Sequence, residues 1–195
     1  MVAVTRTPKA SWIEQGLRAL ASGGPDAVRV EALAQSLGVT KGGFYGHFAD
    51  RKALLREMLD TWEHECTFDV RERVEREGGD ARAKARRAGV LTFSDDRLRP
   101  IDLAVRDWAR RDDEVAERLR RVDNYRIGYL RELLGTFCTD PDEIEARSLM
   151  AFSLAVGKYV IAAEHEGRTR DEVVAKASAI LLQQPLDDTG PTETG

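Results

Sequence analysis

Between residues 113 and 136 the chain sets Val115, Leu119, Val122, Arg126, Tyr129 and Leu133 at successive spacings of 4, 3, 4, 3 and 4. That is the period of one face of an α-helix, with one cation among five apolar positions. Ile13, Leu17 and Leu20 make a shorter stripe of the same kind, and no segment reads convincingly as a strand. Gly and Pro punctuation, together with N-cap residues, divides the chain into about nine helical segments, so the predicted fold class is all-α.

The first helix is predicted to run to about Ala21, with Thr7 capping it ahead of Pro8 and Gly23-Gly24-Pro25 stopping it. Short helices follow at 30–36 and 40–47, then a long one capped by Asp50 and ended by Gly78-Gly79. Further helices are predicted near 80–94, 100–111, 113–136, 141–166 and 170–184. Asp140-Pro141 with Glu143, and Thr169 with Glu172, both have the spacing of a capping box, and Gly167 ends the helix between them.

Two late segments pattern differently from the rest. Leu149 to Ala163 is apolar nearly all round, and such a helix must be covered on more sides than one monomer's core supplies. The next segment carries two stripes, Val173, Ala177, Ile180 and Val174, Leu181, with small Ala175, Ser178 and Ala179 permitting close approach. The reading is a homodimer joined through the helices near 141–166 and 170–184 as a four-helix seam. The alternative is a single well-buried core hairpin.

Residues 38–48, GVTKGGFYGHF, place poor helix formers and three aromatic rings between plain helices. With Gly38 as the turn, Leu33, Ala34 and Leu37 before it and Val39, Phe44 and Phe48 after it fall into helix-turn-helix register. Ile13, Leu17 and Leu20 complete the core of a three-helix unit. Thr40, Lys41, Gly42, Gly43, Tyr45 and His47 are left on the outward face of the third helix. Gly42 and Gly43 each cost a helix interior about 1 kcal/mol relative to Ala, which suits bare backbone passing close to a groove wall. Tyr45, His47 and Lys41 can reach phosphates or a guanine edge. Lys52 lies in the first turn of a helix, where the macrodipole disfavours a cation and an external anion would resolve the conflict. The plainer alternative is a set of surface residues on a helical core.

The stretch VRVEALAQSLGVTKGGFYGHFADRKALLREML, Val28 to Leu59, resembles the N-terminal DNA-binding domain of the tetracycline-repressor (TetR) family, over about the first 60 residues. The resemblance implies an all-helical homodimer that represses transcription and leaves a palindromic operator when a small molecule binds its C-terminal domain. It carries Thr40, Lys41, Gly43, Tyr45, His47 and Lys52 over as DNA-contacting positions. Arg29 stands where the family commonly has a Ser or Thr cap, and could reach a phosphate instead. Gly46 stands where a larger side chain is common. The expected domains are a head at 1–56 with its motif at about 29–48, a ligand-binding and dimerisation body at 57–184, and a disordered tail at 185–195.

Charge sharpens this division. Residues 1–56 carry eight Lys/Arg against four Asp/Glu, a net of +4, while the remainder is at −8 and the whole chain at −4. A basic head on an acidic body suggests that the head alone meets a polyanion, double-stranded DNA. The two cysteines, Cys66 and Cys138, sit in apolar helical patterns, and no apolar run has the length of a signal peptide or membrane span. A reducing cytoplasm is expected, with no membrane partner and no cofactor. His64 and Cys66 are two residues apart and point to different helix faces, which argues against a metal site. No G-x-S-x-G, P-loop or H-E-x-x-H occurs, and the three histidines lie in unrelated settings, so an enzyme is disfavoured. A dimeric small-molecule-binding protein of this fold without operator binding is the other alternative.

In the body, Trp62, Trp108, Tyr125, Tyr129 and Phe152 lie on helices that would surround a cavity for a largely apolar effector. Arg126, in its apolar stripe, needs an acidic neighbour, a ligand anion or a route to solvent. The run RAKARR, Arg82 to Arg87, reads as a solvated helix face.

Overall fold

A computed structural model describes residues 7–93 and 96–183; the predicted tail at 185–195 lies outside them. Among the described residues the chain is helical, with no strand. The elements are α1 (Lys9–Gly23), a 3₁₀ turn (Pro25–Ala27), α2 (Val30–Ser36), α3 (Lys41–Tyr45) and a long α4. The α4 helix runs Arg51–His64, widens into a π-helical turn at Glu65–Asp69 and continues as Val70–Glu77. Then come α5 (Ala81–Phe93), α6 (Leu98–Ala109), α7 (Asp113–Leu134), α8 (Pro141–Val160) and α9 (Arg170–Leu181).

Several predicted caps are replaced by others. Pro8 stands at the N-cap of α1 with no side-chain cap, while the Thr7 carbonyl accepts from His47 Nε2 at 2.8 Å. Asp50 and Thr169 cap as predicted, the latter with Glu172 in a full capping box. Asp140 caps Asp142 N–H without the reciprocal bond, because Glu143 instead accepts from Arg147 Nε at 2.7 Å and from Cys138 Sγ at 3.3 Å. α8 ends at Val160 rather than near 166. Its terminal carbonyls are taken by Arg170, which donates to Lys158 O at 2.8 Å, Ile161 O at 2.5 Å and Ala163 O at 2.8 Å. A cation at a helix C-terminus satisfies orphan carbonyls and complements the dipole.

Two apolar clusters hold the molecule. The first gathers Trp12, Leu17, Leu20, Leu33, Phe44, Leu54, Met58 and Trp62 from α1–α4 with Ile101, Val105, Trp108, Val115 and Val122 from α6 and α7. The second gathers Val70, Val74, Ala85, Tyr129, Leu130, Leu133, Leu134 and Leu182. The core thus does not divide at residue 56: α1 packs on both α4 and α6, and the head rests on the near half of the body. α9 buries no residue and α8 only Ser148. Leu149, Met150, Val160, Ile161 and Ile180 are each about half exposed or more, so this hairpin is not the buried core element of the alternative reading.

Candidate functional site

The turn between α2 and α3 closes on a Schellman motif. Gly38 takes φ 66°, its N–H donates to Gln35 O at 3.1 Å, and Val39 N–H reaches back to Ala34 O at 2.9 Å. A side chain at Gly38 would meet no atom within 4 Å, so the positive φ is what requires glycine there. Trp12 edges against Phe44 with centroids 5.5 Å apart, and Phe44 stacks on Phe48 at 5.1 Å. These rings fix α3 on the head core, while Tyr45 leans edge-on against Phe44 and stays 63% exposed.

Thr40, Lys41, Gly42 and Tyr45 lie exposed on α3 and its N-cap, Gly43 is half-buried, and Arg29 and Lys52 are exposed beside them. A Cβ on Gly42 would come no nearer than 3.6 Å to Thr40 Oγ1, and one on Gly43 no nearer than 3.7 Å to Trp12. Neither glycine has a positive φ, so nothing inside the protein asks for either. Lys41 pairs with Glu31 across the turn, and that hydrogen bond is what chiefly holds the Glu31 carboxyl below its usual range. Arg29 Nε donates to Asp26 O at 3.2 Å. Lys52 makes no ion pair among the described residues. His47 differs from the rest: it is half-buried, with Nε2 spent on Thr7 O. Sequence reasoning missed Arg51, whose side chain donates to Val28 O at 2.6 Å and to Pro25 O, fastening the start of α4 to the turn after α1.

The body contains a cavity of about 140 Å³ between α4, α5, α7, α8 and α9. Tyr125, Arg126, Tyr129 and Phe152 line it together with Cys66, Thr67, Phe93 and Leu130. Trp62 and Trp108 do not. Both follow the α-helical phase of the head cluster, Trp62 being wholly buried in it and Trp108 donating from Nε1 to Asp112 Oδ2 at 3.2 Å. The Tyr129 hydroxyl donates to Glu75 Oε1 at 2.6 Å, and burial with that bond pushes its phenol up. Burial pushes the Cys66 thiol up to about 12.

Arg126 finds acidic neighbours. Its guanidinium donates to Asp102 Oδ1 at 2.8 Å, Asp123 Oδ1 at 3.4 Å and Cys66 O at 3.4 Å, with Phe93 lying across it at 5.2 Å. Arg106 completes the set, donating to Asp102 Oδ2 at 2.8 Å and bidentately to Asp123 at 2.8 and 2.7 Å. Two guanidiniums and two carboxylates make a neutral group between α6 and α7. Burial alone would raise the Asp102 carboxyl, which is 1% exposed, but Arg126 and Arg106 hold it below its ordinary value. Arg126 is therefore a cavity wall with its donors engaged.

The RAKARR segment is likewise less solvated than its charge suggests. Arg82 Nε donates to Leu182 O at 2.7 Å, Arg87 to Gly78 O at 2.6 Å, and Arg86 borders the cavity. One helix, α4, belongs to both sites, since its first half forms the head core and Cys66 and Thr67 of its π turn line the cavity. Arg97 clamps that turn to α1, donating to Glu65 Oε2 at 2.8 Å and Glu14 Oε2 at 2.7 Å.

Residues 13–58 match the model of the bacterial regulatory proteins, tetR family. That span is similar to the N-terminal domain of the family, and the fold of the whole chain is one found in solved transcriptional regulators. A transcriptional regulator from Rhodococcus sp. Rha1 superposes with a TM-score of 0.70 at 19% identity, over 90% of this chain and 94% of that one. AibR, in complex with isovaleryl coenzyme A and operator DNA, gives 0.60 at 15% identity over 88% and 95%. The ketosteroid transcriptional regulator KstR2 of Mycobacterium tuberculosis gives 0.61 at 16% over 93% and 95%. No curated protein matches the chain in sequence. No helix among the described residues is long and apolar enough to cross a membrane.

Proposed function

We propose that the chain is a ligand-responsive transcriptional regulator: a homodimer that represses by binding a palindromic operator and is released by a small molecule held in the body cavity. The observation that carries this is Gly42, exposed on α3 with half-buried Gly43 beside it, bare backbone that no internal contact requires. Thr40, Lys41, Tyr45 and Lys52 surround it as phosphate and base-edge donors. Arg29 and the outer edge of His47 extend the same face.

The exposed apolar faces of α8 and α9 support a partner subunit there, forming a four-helix seam that holds two heads for successive major grooves, with half-site centres about 34–36 Å apart. AibR, with its acyl coenzyme A and its operator, offers a precedent for both occupants on this fold. Ligand can release DNA only by favouring one head separation over another, and α4, shared by head core and cavity, is the element through which that preference would pass. The role is binding rather than catalysis, and the cytoplasm is its setting.

Fluorescence anisotropy against palindromes upstream of the protein's own gene, titrated from about 50 to 200 mM salt, tests the reading. Affinity should fall steeply with salt. Lys52→Ala should lower the slope by about one, and Tyr45→Ala should weaken binding without unfolding the head. Salt-insensitive binding, or variants indistinguishable from wild type, would contradict it.

A further inference from the structure

The hydroxyl groups lining the body cavity are not all occupied in the same way. Thr67, on the π turn of α4, donates to the carbonyl four residues back, Glu63 O, at 2.5 Å, and the Tyr129 hydroxyl is committed to Glu75. Thr92, in the last turn of α5, lines the cavity and is 4% exposed, yet its hydroxyl has no hydrogen-bond partner among the described residues. The buried side-chain atoms there that are both unpartnered and closed off are the indole nitrogens of Trp12 and Trp62. Thr92 Oγ1 is unpartnered and not one of them, so its open side is the cavity. A hydroxyl desolvated in an apolar wall is costly until something pairs with it. The charges of the wall, by contrast, are answered. Arg126, the one charged lining residue that is buried among those described, is balanced by Asp102 and Asp123. Arg71 grips Glu132 bidentately at 3.2 and 2.6 Å, Lys158 lies over the Tyr159 ring at 4.6 Å, and Arg86 is exposed on α5.

We propose that this cavity binds a small neutral molecule, an apolar body lying against Phe93 and Phe152 with one oxygen hydrogen-bonded to the Thr92 hydroxyl. The proposal rests on the reading of the cavity as the effector site and names the chemical class it takes. Volume sets the body, since about 140 Å³ is close to the roughly 150 Å³ that holds a benzene ring. Thr92 sets the oxygen, because a ligand with a methyl group in that place leaves the hydroxyl as unpaired as it was. An ion is rejected: it would give up its water for a wall whose buried charge is already balanced, and for a cation no Asp or Glu is among the described lining residues.

Calorimetric titration of the full chain without DNA at neutral pH, using phenol, toluene, benzoate and benzylamine, separates these cases. Phenol and toluene have nearly the same shape and differ at the oxygen, so phenol should bind about fivefold more tightly, the worth of one net hydrogen bond. Benzoate and benzylamine should both bind more weakly than phenol. Thr92→Val should abolish the advantage of phenol while toluene still binds, and its thermal midpoint should stay at or above that of wild type, because no partner within the protein is lost. Thr92→Ser, which keeps the hydroxyl, should keep the preference for phenol. Equal binding of phenol and toluene, a preference that survives Thr92→Val, either ion binding more tightly than phenol, or no binding of any of the four probes would overturn the proposal. Because no DNA is present, such a failure is distinct from a failure to bind an operator.

Discussion

Replacing Asp102 with Asn leaves the volume of the side chain nearly unchanged and removes one of two carboxylates from a buried group of four charges. Arg106 keeps its bidentate partner Asp123, but the amide has one accepting oxygen for the two guanidiniums that Asp102 served at 2.8 Å each, and the one carboxylate left to Arg126 is Asp123 at 3.4 Å. One carboxylate then serves two guanidiniums, one of them 8% exposed. Breaking a buried pair on one side costs about 3–5 kcal/mol. For a chain of this length that corresponds to a fall in thermal midpoint of roughly 6–20 °C. Restoring neutrality with Asp102→Leu and Arg126→Met together should recover most of the loss, since apolar replacement of a whole buried pair is often close to neutral. The Asp102 carboxyl is depressed in the folded state from its ordinary 3.8. Its contribution is therefore fully present above pH ~4 and lost as the pH falls through the folded value. The gap between wild type and Asp102→Asn should stay constant from about pH 5 to 8 and close only in stronger acid. Urea unfolding across that range measures it. A loss under about 1 kcal/mol, or a double variant no more stable than the single one, would refute the reasoning.

Gly38→Ala should cost about 1–2 kcal/mol in urea unfolding, all of it backbone strain at φ 66° because the new Cβ meets nothing; an unchanged midpoint would remove the case for the turn. Leu149→Glu, at a position 55% exposed on α8, should shift sedimentation from dimer to monomer while helicity is kept, and an unaltered assembly would place the interface elsewhere. The Cys66 thiol, buried and raised to about 12, should resist a disulfide reagent at pH 8 until denaturant is added. Rapid labelling of Cys66 in the native protein would show the cavity floor to be open.

The head was legible because its signals are local. Gly38 marks a turn by its own φ requirement, and Leu33, Ala34, Phe44 and Phe48 mark the inward side by spacing alone. The ends of α8 and α9 were not, because their caps come from far along the chain: Arg170 closes α8, while Arg82 and Arg147 reach the carbonyls of Leu182 and Leu181. Arg126 announced a missing acid, and Asp102 was its available answer, set between Ile101 and Val105 on the buried side of α6. Its four-residue spacing to Arg106 looks from sequence like a surface pair. Trp62 and Trp108 misled because a large ring fits a core and a cavity wall equally well, and only packing distinguishes them.

The π turn at Glu65–Asp69 gives α4 one residue held in reserve. Trp62, Cys66, Val70 and Val74 are all buried at intervals of four, a spacing that would drift by about 40° per step around a regular α-helix. A wider turn absorbs that drift, so each half of the rod keeps its own aim. Losing one residue there would tighten the turn to ordinary α geometry without re-aiming either half, a change that a regular stretch of the rod could not absorb.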